Sequence, residues 1–429
     1  MPSSPSQSVH GVEHVLFLTL VQVAIIIVAA RIAGSLARRI KQPRAVGEMI
    51  AGVLLGPSVL GMLAPETFHR IFQSTDGLPL TILSQLGLVL LMFQIGLEFD
   101  FSHLRAAENR YATGLVGALG ILVPFAVGLG FGYVSAPYLA PGITTLNYAL
   151  FMATAFSITA VPTLGRIMME FDLTRTRLGA ITISAAAVND VAGWTLLAFI
   201  SAGVTARFSP GMLRQVAWLL VYLIVCWWVG RPVLRAIVQR FDLSPQRLSQ
   251  DLMAVVLVCV LISAMTTSRL GIFAPFGAFM MGVLLHDQRA LAEAWKGKVA
   301  DLVTVMFLPI FFTYTGLRTN VGGLDTPGLW LWCGGLIGLA ILGKFGGCYV
   351  AGRLAGLESS EATNVAFMMN TRALMELVVL NVGFDLGVVP EKAFTMFVLA
   401  ALLSTVMTAP GLRTWLPRIQ HVIPVGVDA

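Results

Sequence analysis

The sequence predicts an all-α polytopic membrane protein of about 13 transmembrane helices, and three observations carry that prediction. The chain is 57% hydrophobic and only 12% charged over 429 residues, and its mean hydropathy of +0.83 lies well above what a soluble globular domain tolerates. Apolar runs of about 20 residues, long enough to cross a roughly 30 Å hydrocarbon core as helices, recur from one end to the other. Short charged or Pro/Gly-rich stretches separate them.

Splitting at that punctuation places spans at residues 13–35, 45–63, 79–97, 111–136, 147–169, 178–204, 214–237, 251–268, 271–285, 301–317, 328–351, 362–386 and 393–412. The opening "MPSSPSQSVHGVEH" lacks the cationic start of a signal peptide. The apolar run behind it ends in "RRIKQPR" rather than a small-residue cleavage site, so the first span is expected to be retained. With the N-terminus outside, "RRIKQPR", "HLRAAENR", "LTRTR", "RAIVQRFDLSPQR" and "DQRALAEAWKGK" all fall on the cytoplasmic face, gathering about twenty Lys and Arg against about six outside. An odd span count then puts the C-terminus inside, in a plasma or inner cell membrane. The net charge of +6 therefore reports orientation, and no nucleic-acid partner is expected. Cys226, Cys259, Cys333 and Cys348 show no paired spacing, which argues against a disulfide framework or a metal knuckle. No cofactor is expected.

An internal echo bears on architecture. "AGVLL" (51–55) returns as "MGVLL" (281–285), and "FQIGLE" (93–98) as "TYTGLR" (313–318). Both matches are offset by seven spans, an odd number, so the two copies run in opposite directions. Inverted repeats of this kind mark secondary transporters with a site near the midplane. The fifth span carries "TAFSITAVPTLG", in which Pro162 removes a backbone donor. The twelfth carries "MMNTRALMELV", with polar residues at mid-depth. Two interrupted helices that cross there would aim half-helix ends at one site.

Few ionisable groups lie deep within spans: Asp190, Lys344, Arg372 and Glu376. Each costs about 2.5 to 3.5 kcal/mol at the bilayer centre, so each should face the protein interior and find a partner. Arg372 and Glu376, four apart on one helix, are expected to pair and to offset the ends of the break. Asp190 and Lys344, of opposite charge on different spans, are natural partners. A carboxylate whose proton affinity is set by desolvation against a nearby ammonium can hold a proton or a small cation, here Na⁺ or K⁺. Asn189 supplies an amide beside it, and hydroxyls or carbonyls of Ser157 and Thr159 would complete an oxygen-rich cage suited to a hard cation. Glu98, with Asp100 and Glu48, falls near cytoplasmic span ends, where carboxylates could draw cations inward.

These stretches resemble one family, the monovalent cation:proton antiporter-2 superfamily, and within it the cation/proton exchanger branch. "SITAVPTLGRIMMEFDLTRTRLGAITISAAAVNDVAGWTLLA" is similar to that branch's first broken helix and Asn-Asp helix, and "NTRALMELVVLNVG" to its second broken helix. "GEMIAGVLLGPSVLG", "LMFQIGLEFD", "FGAFMMGVLL" and "LPIFFTYTGLRTN" match its other signatures, so the resemblance spans essentially the whole chain. It implies a homodimer in the lipid bilayer. In each protomer a core (79–204 and 301–412) would slide against a dimerisation scaffold (13–63 and 214–285), as in an elevator. It also implies Asp190 as cation and proton carrier, Asn189 as its companion, Lys344 facing it, and Ser157, Thr159 and Arg372 at the crossover. Electrogenic members carry a second aspartate where this chain has Asn189, and many electroneutral ones replace the lysine by arginine; this chain combines Asn189 with Lys344. No tail-borne regulation is expected after the last span.

The function expected is exchange of a monovalent cation for protons, one for one as the simplest case. A proton-coupled efflux carrier for a larger charged solute would want an aromatic box or a wide polar cavity. An intramembrane aspartyl protease needs two aspartates at mid-depth, and a prenyl-transfer enzyme an acidic Mg²⁺ cluster; only Asp190 lies there, so no enzyme is expected. A channel or receptor would want a pore motif or a sensing domain.

Overall fold

The computed structural model describes residues 5–74, 77–98, 110–171, 173, 176–205, 210–241 and 249–419. Its helices are, in order, α1 (Pro5–Arg39), α2 (Arg44–Leu55), the short α3 (Leu60–Leu63) and α4 (Pro65–Phe68), α5 (Leu78–Leu97), α6 (Arg110–Leu139), α7 (Thr145–Ser157), α8 (Val161–Glu170) and α9 (Arg177–Thr205). The second half continues with α10 (Pro210–Val225), α11 (Arg231–Gln239), α12 (Gln250–Arg269), α13 (Ala274–Leu284), α14 (Arg289–Trp295), α15 (Leu308–Leu317), α16 (Pro327–Leu354), α17 (Ser359–Met369), α18 (Leu374–Asp385) and α19 (Glu391–Trp415). No β-strand occurs among the described residues.

Nine of the described helices are long and apolar enough to cross a bilayer, and eleven spans result if each of two bent pairs counts as one. The shortfall against about 13 expected spans has a local cause. α13 has only 11 residues, and the expected fifth span is the pair α7 and α8, interrupted at residues 158–160. Pro162 in the first turn of α8 explains the interruption, since it can start a helix but cannot continue one. Residues 99–109, with Asp100 among them, and 242–248, which belong to two of the stretches expected on the cytoplasmic face, lie outside the described residues. The outward surface is apolar: Leu16, Phe17 and Leu20 on α1, Trp218 and Ile224 on α10, and Leu342 on α16 are all exposed. Water does not tolerate that surface, whereas lipid does, and the chain is a multi-pass membrane protein.

The helices pack in two groups. α6, α7, α8 and α9 pack with one another and with α16, α17, α18 and α19, while α5 packs on α13, and α15 on α2. Glycines allow the latter two contacts. Gly96 of α5 rests on the backbone of α13 at Phe279 and Gly282, and Gly282 rests in turn on Phe93 and Gly96. Gly52 of α2 meets α15 at Phe312, and Gly316 of α15 meets Gly52 and Val53. A Cβ at any of these four positions would strike backbone, so the helix axes approach as closely as helices can. The four glycines are those of "AGVLL", "MGVLL", "FQIGLE" and "TYTGLR". α5 and α15, both within the expected ion-binding core, thus pack against α13 and α2 respectively.

Candidate functional site

Two interrupted helices cross at the centre of the first group. The α7–α8 chain passes residues 158–160 in extended conformation, with Ile158 at φ −75°, ψ 145°. The α17–α18 pair is bent by 42° across residues 370–373. The two breaks are tied to each other: Ala160 N donates to Thr371 O at 2.9 Å, and Thr159 Oγ1 to Met369 O at 3.2 Å. Ala373 takes φ +53°, ψ −125°, a left-handed conformation that strains a residue with a Cβ by about 1 to 3 kcal/mol.

A helix that stops inside the protein leaves carbonyls without donors and the negative end of its dipole unscreened. At the end of α7 two buried cations answer that need. Arg372 Nη1 donates to Ala155 O at 3.0 Å, and Nη2 donates to Phe156 O at 3.0 Å and to Ala340 O at 2.8 Å. Lys344 Nζ donates to Gly120 O at 2.7 Å and to Ser157 O at 2.5 Å. Both side chains are fully buried. Glu376, in the first turn of α18 where an anion is favoured, lies 3.5 Å from Arg372. The expected Arg372–Glu376 pair is therefore present, and its guanidinium also caps α7.

The expected direct pair between Asp190 and Lys344 is absent. No hydrogen bond or ion pair joins them among the described residues, because Lys344 is held by the α7 carbonyl and by its neighbour Asn189. With the Asn189 amide oriented to satisfy its surroundings, its nitrogen donates to Gly117 O at 2.9 Å and Ala185 O at 3.2 Å, and its oxygen accepts from Lys344 Nζ at 3.1 Å. Asn189 thus links α9, α6 and α16 through one side chain.

Asp190 faces elsewhere. It is 2% exposed, neither carboxylate oxygen receives a hydrogen bond from the protein, and it lines a cavity of about 620 Å³. Ile183, Ala187 and Asp190 line that cavity at helical spacing, so one stripe of α9 forms a wall. Thr163, in the first turn of α8, and Ser184 supply hydroxyls to the same wall. Sequence reasoning missed both. Ser157 Oγ donates to Thr154 O at 2.9 Å and Thr159 Oγ1 to Met369 O, and neither residue lines the cavity. The signal that would have found Thr163 is its place just after Pro162, in the first turn of the helix that restarts beyond the break.

At the other end the cavity meets Glu98, Lys296 and Asp301. The wall there is built by two π-helical turns, Lys296–Ala300 and Val303–Phe307, a geometry that often marks functional segments. Glu98 is exposed and takes a bond from Gln94 Nε2 at 3.0 Å. Glu48, by contrast, is 1% exposed within α2 and does not line this cavity. Among the described residues no group of three His, Cys, Asp or Glu is arranged to hold a metal ion.

Comparison with known proteins supplies the family. Residues 25–416 match the model described as "Sodium/hydrogen exchanger, transmembrane". The chain is 37% identical over 408 residues to the Na(+)/H(+) antiporter NhaS4 of Synechocystis, covering 95% of this chain and 99% of that one. It is 34% identical to Cation/H(+) antiporter 17 of Arabidopsis thaliana over 94% of this chain, and spans 49% of that relative's length. Among solved structures, the sodium proton antiporter MjNhaP1 of Methanocaldococcus jannaschii shares the fold, with a TM-score of 0.65 at 16% identity over 94% of this chain and 98% of that one. A polytopic helical bundle with crossed breaks and a buried carboxylate at the end of a cavity accords with these matches, and the chain belongs to the sodium/hydrogen exchanger family of monovalent cation:proton antiporters, transporters rather than enzymes.

Proposed function

We propose that this protein exchanges Na⁺ or K⁺ for H⁺, one for one, with Asp190 alternately protonated and cation-bound. The observation that carries the proposal is the pair of Asp190 oxygens, buried at the end of the cavity and given no hydrogen bond by the protein. A bare buried carboxylate is costly, and a proton or a small cation removes that cost. Thr163 and Ser184 add neutral oxygens of the kind hard cations prefer. Four charges are buried around the crossover, Asp190 and Glu376 against Lys344 and Arg372. One bound cation or one proton changes that total equally, which is why either can license the same movement and why the exchange is electroneutral.

The movement in this reading is elevator-like. The unit formed by α6, α7, α8, α9, α16, α17, α18 and α19 carries Asp190 past the scaffold that includes α2, α5, α13 and α15. The reciprocal contacts of α5 with α13 and α2 with α15 support reading the chain as two inverted repeats. A homodimer, a plasma or inner membrane location and an outward N-terminus complete the proposal. The cavity then opens to the cytoplasm.

Purified protein in liposomes with an imposed pH gradient tests this directly. Na⁺ or K⁺ added outside should dissipate the gradient, and Asp190→Asn should abolish the response. Undiminished exchange by that variant would refute the assignment.

A further inference from the structure

The end of α15 that points away from the Asp190 cavity carries a second charged cluster. α15 starts at Leu308 and α18 at Leu374, both lining the cavity; α15 ends at Leu317, capped by Arg318, and α18 ends at Asp385, each about 15 Å further on by helical rise. There Arg318 Nη1 lies 2.7 Å from Asp385 and 3.1 Å from Asn381 Oδ1. Its guanidinium is held between the rings of Tyr314 and Phe384, at 4.1 and 4.9 Å from their centres. One turn back, Asn381 Nδ2 donates to Thr315 Oγ1 at 2.8 Å.

This cluster joins the two packing groups. α15 is fixed to α2 by Gly316 on Gly52 and by Ser58 Oγ, which donates to Thr319 O at 2.6 Å. α18 packs instead on α7 and α19. A rigid displacement of one group past the other cannot leave a 2.7 Å ion pair across their boundary intact. Asp385 also lines a separate cavity of about 340 Å³ with Gln85, Ser201 and Val382. The matched motifs "FQIGLE" and "TYTGLR" put Glu98 and Arg318 at equivalent ends of α5 and α15. Glu98 borders the open cavity and bonds within its own helix, whereas Arg318 is clamped across to α18.

We propose that Arg318 and Asp385 form the latch of the face opposite the Asp190 cavity, and that Asp385, once released from Arg318, is the carboxylate that receives the incoming monovalent cation on that face. Arg318 is then a tethered competitor for the ion's entry group. The latch must open once in every exchange cycle. This rests on the alternating-access reading above.

The test is a reversible cross-link between the two helices. In a background with the four native cysteines replaced, Thr315→Cys with Asn381→Cys is reconstituted in liposomes, oxidised, and then reduced. The reduced protein should exchange, oxidation should stop exchange, and reduction should restore it. Equal exchange by the verified cross-linked and reduced forms would overturn the latch. No exchange by the unsubstituted protein under any Na⁺ or K⁺ gradient would instead count against the antiport reading. If the paired cysteines themselves inactivate the protein, Arg318→Gln combined with Val382→Cys decides the matter. Labelling of that cysteine by a membrane-impermeant thiol reagent from the far face should rise relative to Val382→Cys alone, and unchanged labelling overturns the proposal.

Discussion

The two interrupted helices cross, yet they are stabilised in different ways. The carbonyl end of α7 receives two full positive charges, Arg372 on Ala155 and Phe156 and Lys344 on Ser157. The carbonyl end of α17 receives Thr159 Oγ1 on Met369 and the Ala160 amide on Thr371, both neutral. The second break instead carries backbone strain at Ala373. The comparison teaches where the site's charge balance resides. Both buried cations are spent at one helix end, and Asp190 is left close to positive charge without being neutralised by direct contact. That arrangement leaves its oxygens able to take a proton or an ion.

The contrast predicts unequal responses to mutation. The largest effect is expected at Arg372, where truncation strips three carbonyls and leaves Glu376 buried without its counter-charge. Arg372→Ala should lower stability by about 3 to 5 kcal/mol, read as a drop in melting temperature in detergent, and adding Glu376→Gln should recover part of it. A single variant as stable as the parent would show that the first break does not depend on this guanidinium.

A smaller stability change but a clear functional one is expected at Lys344 and Asn189. Lys344→Gln keeps a donor for Ser157 O but removes the charge near Asp190, so the pH of half-maximal exchange should move by about one unit. Removing an ammonium makes a proton easier to hold, so the shift should be upward. Asn189→Asp puts a carboxylate where an oxygen now accepts from Lys344 at 3.1 Å. Its exchange rate should become sensitive to a clamped membrane potential, whereas the parent's should not. Equal insensitivity in both would disconnect this position from charge balance.

The smallest effect is expected at the strained break. Ala373→Gly removes a Cβ at φ +53° and should stabilise the protein by about 1 kcal/mol, after the entropy cost of glycine is subtracted. A destabilised variant would mean that the Ala373 methyl packs more favourably than its backbone suffers.

Much of this was legible in the sequence. Asp190 announced itself as a charge in an apolar run, Pro162 and the Asn370–Arg372 stretch announced the breaks, and the spacing of Arg372 and Glu376 announced their pair. What charge and depth alone could not reveal is which acceptor Lys344 serves. That depends on the unpaired carbonyl of Ser157, which exists only because α7 ends where it does. Hydroxyl counting failed for a similar reason. Ser157 and Thr159 lie closest to the break in sequence, yet they bond to backbone, while Thr163 and Ser184 face the cavity by virtue of helix rotation. The repeated glycine motifs were visible as an echo, but which copy packs on which needed three dimensions.

The central claim is that proton and cation compete for one carboxylate, and the most direct test is the apparent KM for Na⁺ or K⁺ in liposomes across a series of pH values. On the acid side of the Asp190 titration, KM should rise by about tenfold for each unit the pH falls, with the maximal rate at saturating cation unchanged. A constant KM with a falling maximal rate would contradict it, and would mean that the proton is carried somewhere other than Asp190.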